Sequence, residues 1–278
     1  MFPEKNQAQA WQVTRMVKKI GIIGCGAMGS EIADYISRNL GDRLKIIAVA
    51  DIDSGKAEAL SSRIKPKPSV ASSIEEVINK SDIIIEAASG DISGEVAEKA
   101  DALKKDVLIM STGGLLKKQH LVEKINSGHS SIHIPSGAVC GLDGLKSAMT
   151  GAVRSVTLTT RKPLKGLAGS PYLKEKNIDI EKIDKETLIY SGTAGEAIKY
   201  FPQNINVAVT LSICGIGPDK TNVKIFTSPE YTRNTHEIEI EGEFGRLWTR
   251  TENMPSKNNP KTSQLAIFSA IAKLKEII

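Results

Sequence analysis

Three glycines with fixed spacing stand at the start of the patterned part of the chain. Gly24, Gly26 and Gly29 form the G-x-G-x-x-G spacing in "GCGAMG", directly after the apolar run "KKIGII" and before a helical pattern. In this context the first glycine makes a tight turn, the second lets a pyrophosphate approach the backbone, and the third lets helix and strand pack closely. Ala27 and Met28 lie between the second and third glycines, at the start of the helix. Free backbone N–H groups there can bind phosphate. The segment predicts a dinucleotide site.

An acidic residue at the end of the next strand predicts which nucleotide is bound. Asp51 follows the apolar run "LKIIAVA". Its carboxylate can accept a hydrogen bond from the adenosine ribose and would repel a 2′-phosphate, so NAD is favoured as the cofactor. Lys56 is close enough in the sequence to leave NADP possible. Asp53 either adds to the repulsion or is a turn residue.

Small residues follow two later strands in the first half of the chain. Ala87 and Ala88 come after "DIIIE", and Ser111 and Thr112 come after "DVLIM". Open α/β sheets bind ligands beyond the carboxyl ends of their strands, and small side chains there let a flat ring approach. These four residues are therefore expected to contact the cofactor, with ordinary strand-end turns as the alternative.

One histidine lies on the apolar side of an alternating strand. In "RNTHEIEIEGEFG", His236 shares its parity with Ile238 and Ile240, whereas the first three glutamates share the other parity. Successive strand side chains point to opposite faces, so the histidine is expected among buried isoleucines. It is either a hydrogen-bonded core residue or a group in a closed site, where a neutral imidazole can accept a proton.

The elements that must position these residues divide into two halves. In the first, β-branched runs alternate with helical patterns, which predicts a doubly wound parallel sheet of the Rossmann type. In the second, segments such as "VRSVTLTTRK" alternate with period two, which predicts an α+β domain with an open mixed or antiparallel sheet. We assign a disordered extension to 1–15, a dinucleotide-binding domain to 16–134 and a catalytic domain to 135–259. A final helix, 260–278, is expected to return to the first domain.

Composition and charge exclude several classes of function. The chain has 278 residues, 40% hydrophobic and 25% charged, which is typical of a soluble globular protein. Because only 4% of residues are aromatic and the net charge of +5 is scattered, no nucleic-acid partner is expected. No apolar run is long enough to span a membrane. Three separated cysteines and a polar N-terminus predict a reducing, cytoplasmic location and no structural metal.

Several segments together resemble one family, the L-aspartate dehydrogenases. They are "GIIGCGAMG", "SDIIIEAAS", "IHIPSGAVCGLDGL", "TTRKP", "FPQNINVA", "RNTHEIEIEGEFG" and "NPKTSQLA", in one order along most of the chain. The resemblance implies a Rossmann domain, a mixed α/β second domain and a C-terminal helix that returns to the first. It places the family's active-site histidine at His236 and its cofactor-contacting asparagine and alanine at Asn206 and Ala138.

The activity implied by the resemblance is NAD(P)-dependent oxidation of L-aspartate to iminoaspartate, which feeds quinolinate and NAD biosynthesis. Hydride moves from Cα to nicotinamide C4, and a base or hydrogen-bond acceptor is needed near the amine, a role for His236. The two substrate carboxylates need cations or N–H donors. Arg161 and Lys162 are candidates, as is the backbone from Ser136 to Ala138, which is expected to begin a helix.

Two further residues are candidates for such a site. Asn206 is expected inside a helix, where asparagine is unfavourable, and this favours a function such as binding the nicotinamide ribose or carboxamide. Arg233, just before the histidine strand, has the parity of the glutamates. That parity argues against Arg233 as a substrate ligand if the strand already includes it.

Two alternative functions and a homo-oligomeric assembly are also compatible with the sequence. The chain could be another two-domain NAD(P)-dependent reductase of a small dicarboxylate, although the paired histidines of the dihydrodipicolinate reductases are absent. It could also be an NAD(H) sensor without turnover. A homodimer or larger homo-oligomer is expected, because an open sheet with one apolar face invites pairing.

Overall fold

The computed structural model describes residues 16–128, 130–202, 205–256 and 262–278. The extension expected to be disordered, 1–15, and the "NPK" of "NPKTSQLA" lie outside the described residues. No helix in the described ranges is long and apolar enough to cross a membrane.

The first half of the chain builds a parallel sheet of six strands. The strands are β1 Lys18–Ile23, β2 Leu44–Ala50, β3 Ser69–Val70, β4 Ile83–Glu86, β5 Asp106–Ile109 and β6 Ile132–His133. Their spatial order is β3-β2-β1-β4-β5-β6, with every neighbouring pair parallel. This order, which reverses between β1 and β4, confirms the predicted Rossmann sheet and places a ligand crevice beyond the carboxyl ends of these strands.

Helices cover both faces of this sheet, because the strands are apolar on both sides. They are α1 Ala27–Asn39, α2 Ser54–Arg63, α3 Ile74–Lys80, α4 Gly90–Ala102 and α5 Gln119–Asn126, with a 3-10 helix at Thr112–Lys117. In α1 the buried positions Ile32, Ala33 and Ile36 form one stripe against the sheet. The Ser73 hydroxyl caps α3 by accepting a hydrogen bond from the N–H of Glu76 at 3.2 Å.

The second half builds a mixed sheet of five strands with short helices. The helices are α6 Leu142–Ala148, α7 Leu164–Leu167, α8 Pro171–Glu175, α9 Ala194–Tyr200 and α10 Asn206–Cys214. The strands are β7 Val153–Pro163, β8 Thr187–Thr193, β9 Thr221–Ser228, β10 Asn234–Gly242 and β11 Gly245–Asn253. Their order is β11-β10-β7-β9-β8. Only the β7–β9 pair is parallel, which confirms the predicted open sheet of mainly antiparallel strands.

The two faces of the second sheet differ as the alternation of β10 predicts. His236, Ile238 and Ile240 are buried, and the three glutamates between and after them point to the other face. The chain's own helices α6, α9 and α10 cover the apolar face, within one core cluster that includes Leu145 and Leu211. The expectation that two copies pair through that apolar face is therefore wrong, because the chain's own helices already cover it.

The last helix, α11 Gln264–Glu276, lies against the first domain. It shares a core cluster with α1 and with Ile20 and Ile22 of β1. Its buried residues in that cluster are Ile267, Ala270, Ile271 and Leu274. Ser263, directly before this helix, forms an isolated antiparallel bridge with Pro255, which follows β11.

Candidate active site

The glycine loop has the geometry that a bound pyrophosphate requires. Gly24 has a φ of +97°, and a Cβ there would lie 2.5 Å from the backbone of Ala87. A Cβ on Gly29 would lie 1.9 Å from the Gly24 carbonyl oxygen, so this position needs glycine for helix and strand to meet. Around Gly26 no atom comes within 4 Å of a Cβ position. The open space at Gly26, next to the start of α1, fits a phosphate group.

Asp51 is held beside this loop by backbone donors. Its Oδ2 accepts a hydrogen bond from the Cys25 N–H at 2.7 Å, and its Oδ1 accepts one from the Asp53 N–H at 2.9 Å. These contacts fix the carboxylate at the end of β2, where an adenosine ribose would lie. Asp53 is a turn residue, one of the two roles expected for it. Its Oδ1 caps α2 by accepting a hydrogen bond from the Gly55 N–H at 3.1 Å.

A buried carboxylate that the sequence reasoning missed joins the ends of β4 and β5. The Glu86 side chain is fully buried; its Oε1 accepts from the Ala88 N–H at 2.8 Å and its Oε2 from the Ser111 N–H at 3.0 Å. Burial raises the pKa of Glu86 to about 7, and these hydrogen bonds oppose the rise. The sequence signal for Glu86 is an acid that directly follows three isoleucines in a buried strand, "IIIE". Glu86 positions the two loops proposed to contact the cofactor.

A cavity of about 180 Å³ lies between the two halves of the molecule. It collects predicted site residues from distant parts of the sequence: Met28, Thr112, Ala138, Lys162, Asn206 and His236. Ala87, Ala88, Ser111 and Ser136 do not line it. Met28, at the start of α1 and next to the glycine loop, and the histidine strand therefore meet at one opening.

His236 is a neutral, buried base in this cavity. It is 5% exposed, and its Nδ1 lies 3.0 Å from the Thr160 Oγ1, its cross-strand partner on β7. Burial, reinforced by the nearby charge of Lys162, lowers the pKa of His236 to about 3. If Nδ1–H donates to Thr160, the Nε2 lone pair is available to a ligand.

Lys162 shares the buried face of β7 with Thr160. The residue is 6% exposed, and burial lowers the pKa of its ammonium to about 8. A lysine buried beside a histidine in a cavity is costly for folding, which makes it a candidate for binding an anion.

Arg161, by contrast, does not reach the cavity. It is paired across the strands with Thr235, on the face opposite to His236. Its Nη1 lies 2.9 Å from the Glu237 Oε2, and its Nε lies 3.4 Å from the Glu186 Oε2. The expectation that Arg161 binds substrate is therefore wrong for this fold, because one residue along a strand reverses the face.

The "PSGA" segment is a fixed loop and not a helix start. The following helix, α6, begins only at Leu142, so the expected anion site at its N-terminus is wrong. The loop is held by α11 and β11 instead. The Gly137 N–H donates to the Ser269 Oγ at 3.0 Å, and the Ala138 carbonyl accepts from the Thr251 Oγ1 and the Asn253 Nδ2, each at 3.0 Å. Ala138 thus lines the cavity by its backbone position.

Asn206 is the first residue of α10 and not a helix-interior residue as expected. Its backbone carbonyl accepts from the Thr112 Oγ1 at 3.0 Å, and the Thr210 Oγ1 lies 3.3 Å from that same hydroxyl. The asparagine side chain is therefore exposed at the cavity, while its backbone ties α10 to the end of β5.

Comparison with known proteins identifies related families for both halves of the chain. The family model described as "Aspartate dehydrogenase, C-terminal" matches residues 143–277. The model described as "Homoserine dehydrogenase, NAD binding domain" matches residues 24–135. The two matches meet close to the change from parallel to mixed sheet.

Relatives of similar length match nearly the whole chain. The L-aspartate dehydrogenase of Methanosarcina barkeri is 42% identical over 263 residues, covering 94% of this chain and 97% of the relative. That of Methanosarcina acetivorans is 44% identical over 264 residues with the same coverage. The crystal structure of aspartate dehydrogenase from Thermotoga maritima has the same fold, with a TM-score of 0.71 at 24% identity, covering 94% and 97% of the two chains. The chain belongs to the L-aspartate dehydrogenase family.

Proposed function

We propose that this protein oxidises L-aspartate at its α-amine to iminoaspartate, with NAD or NADP as the hydride acceptor. The observation that carries the proposal is the meeting of the glycine-loop side, through Met28, with His236 and Lys162 at one cavity. The family relationship agrees with it, since the relatives named above are L-aspartate dehydrogenases.

The cofactor would lie along the carboxyl edge of the first sheet. The open space at Gly26 and the start of α1 would hold its pyrophosphate, and Asp51 its adenosine ribose. Thr112, Ala138 and Asn206 would contact its nicotinamide end. When bound, the nicotinamide accepts the hydride from the substrate Cα.

His236 and Lys162 would orient the substrate. A neutral imidazole accepts a hydrogen bond from the substrate amine and favours the amine form whose lone pair expels hydride. The free enzyme's His236 is a weak base because of burial and the Lys162 charge. A substrate carboxylate bound to Lys162 would offset that charge, so the pKa of the imidazole would be higher in the substrate complex than in the free enzyme.

Asp51 favours NAD over NADP. A 2′-phosphate at the ribose would face a carboxylate already fixed by two N–H donors. The nearby Lys56 is paired with Asp53 at 3.4 Å, so it does not balance the charge of Asp51 without leaving that partner.

Absorbance of NADH provides the direct test of the function. Purified protein with NAD should reduce it in the presence of L-aspartate, and far more slowly with L-alanine, L-glutamate or L-asparagine. Tight NADH binding without turnover of any amino acid would contradict an enzyme and favour the sensor. Reduction of another small dicarboxylate with NADH, but no reaction with aspartate, would favour the rival reductase.

We further propose a homodimer that uses the polar face of the second sheet, in a cytoplasmic enzyme that supplies iminoaspartate for NAD synthesis. On that face, Trp248 is 56% exposed and Arg246 pairs with Glu239 at 2.6 Å. An exposed tryptophan surrounded by charged residues is typical of an interface anchor. Sedimentation velocity should give a dimer for the wild type and a monomer for Trp248→Glu; a monomeric wild type would contradict the dimer.

A further inference from the structure

A second cavity, of about 400 Å³, adjoins the one that contains His236. The two cavities have three lining residues in common: Lys162, Asn234 and Ser263. The two cavities are therefore neighbours, and Lys162 lies in the wall of both.

The second cavity is lined by positively charged side chains. Three of its lining residues are cationic, Lys162, Lys165 and Arg233, and none of its described lining residues is an aspartate or glutamate. Lys165 and Arg233 form no ion pair with any residue in the described part of the chain. On the other face of the same sheet, arginines such as Arg250 are paired with glutamates. Lys165 and Arg233 are therefore available to bind an anion that the protein does not supply.

Chain geometry brings these cations to the cavity. Lys162 lies near the end of β7 and Lys165 follows within α7, directly after the strand. The strand β10 begins at Asn234, so Arg233 precedes the regular alternation. Strand parity holds only within the strand, so the parity of Arg233 does not exclude it as a substrate ligand. Arg233 is three residues from His236 and lies on the wall of the adjoining cavity.

We propose that the second cavity binds the side-chain carboxylate of the substrate, and that Arg233 and Lys165 make the enzyme specific for an amino acid with two carboxylates. This inference rests on the proposed function. With the amine at His236 and the α-carboxylate at Lys162, the second carboxylate lies one methylene beyond Cα, on the side where the two cavities join. A guanidinium and an ammonium with no acid of their own bind such a group by charge-assisted hydrogen bonds.

The size of the effect follows from the exposure of both cations. Arg233 and Lys165 are solvent-exposed, so they stay hydrated when the bound substrate lacks a second carboxylate. The loss of binding free energy is then smaller than for a buried charge left unpaired. Loss of one charged hydrogen-bond partner is therefore expected to reduce kcat/KM for aspartate by roughly 10- to 100-fold. Activity with an amino acid that has a neutral side chain should change little.

The experiment measures binding and turnover in matched variants. Arg233→Gln, Lys165→Gln and the double variant are compared with Arg154→Gln, an exposed arginine near the start of β7 and outside both cavities. Calorimetric titration of the NADH-bound enzyme with succinate and with butyrate separates two carboxylates from one. We expect succinate affinity to fall at least about 10-fold in each cavity variant, with butyrate affinity and NADH affinity unchanged, and no change in Arg154→Gln.

The outcomes separate this inference from the proposed function. If the wild type oxidises aspartate and the double variant retains wild-type succinate binding and aspartate kcat/KM, the carboxylate site is refuted while the function stands. If the wild type oxidises no aspartate, the proposed function fails, and the succinate-to-butyrate ratio still decides whether Arg233 and Lys165 bind a second carboxylate. Equal loss of succinate and butyrate binding would also refute the inference, because it would indicate a general effect on the site.

Discussion

Replacement of Lys162 by methionine should make the ligand-free protein more stable and the enzyme almost inactive. The lysine is 6% exposed, in a cavity wall beside a neutral histidine. Methionine has a similar length and no charge, so it can fill the same space without desolvating an ammonium. Lys162 is thus expected to reduce stability in return for function.

The magnitude follows from the pKa of the lysine. Burial lowers it from 10.5 to about 8. Each pKa unit corresponds to about 1.4 kcal/mol, so keeping the ammonium charged in the folded protein costs about 3 kcal/mol at pH 7. Between pH 8 and 10.5 the unfolded chain binds more protons than the folded protein at this site, so the penalty falls as pH rises and disappears near pH 10.5.

Urea unfolding of the ligand-free protein measures this difference. Lys162→Met should exceed the wild type by about 3 kcal/mol at pH 7, and the gap should shrink steadily toward pH 10. In thermal unfolding at pH 7 the gain corresponds to roughly 5–10 °C. Lys45→Met, an exposed lysine on β2 of the first sheet, is the control and should leave stability within about 0.5 kcal/mol.

The same variant should lose its substrate affinity. Removal of the cation proposed to bind the α-carboxylate should lower kcat/KM for aspartate by about 10²-fold or more, while NADH binding stays normal.

Reduced stability of Lys162→Met at pH 7, or a gain in stability that does not change between pH 7 and 10, would refute the assignment of a buried, charged lysine.

Three other substitutions test the remaining site. His236→Ala should lower kcat at least about 10²-fold with little change in NADH affinity, and retained turnover in stopped-flow assays would remove the imidazole from the mechanism. Asp51→Ser should shift the NAD/NADP ratio of kcat/KM toward NADP, because the charge facing a 2′-phosphate is lost; an unchanged ratio would mean that another residue selects the ribose. The free energy of unfolding of the wild type should fall as pH rises from about 4.5 to 7, because the pKa of the folded Glu86 carboxyl is raised to about 7 and the folded state binds the extra proton in that range. Glu86→Gln should remove this fall. A variant whose stability still falls with pH as steeply as that of the wild type would contradict the burial of an ionisable Glu86.

Local features of the sequence predicted much of the fold. Strand and helix periodicities depend on neighbouring residues, so the Rossmann sheet, the mixed second sheet and the burial of His236 follow from short segments. The glycine spacing likewise predicts a turn that only those residues can form, as the close contact at Gly29 shows. The resemblance to L-aspartate dehydrogenases added the identity of the chemistry.

Long-range packing decided the rest of the site. Whether Arg161 or Lys162 enters the cavity depends on the register of β7 against β10, which places Thr160 opposite His236. No local pattern contains that pairing, and a one-residue shift would exchange the two cations.

The sequence by itself determined the strand that carries the histidine, the glycine loop and the acid at the end of β2, because each is a property of a few consecutive residues. Only the tertiary structure decided that Glu86 joins two strand ends, that α10 starts at Asn206, and that Arg233 borders a second cavity. These features arise where segments far apart in the chain come into contact, and the geometry of such contacts is set by the packing of the whole molecule.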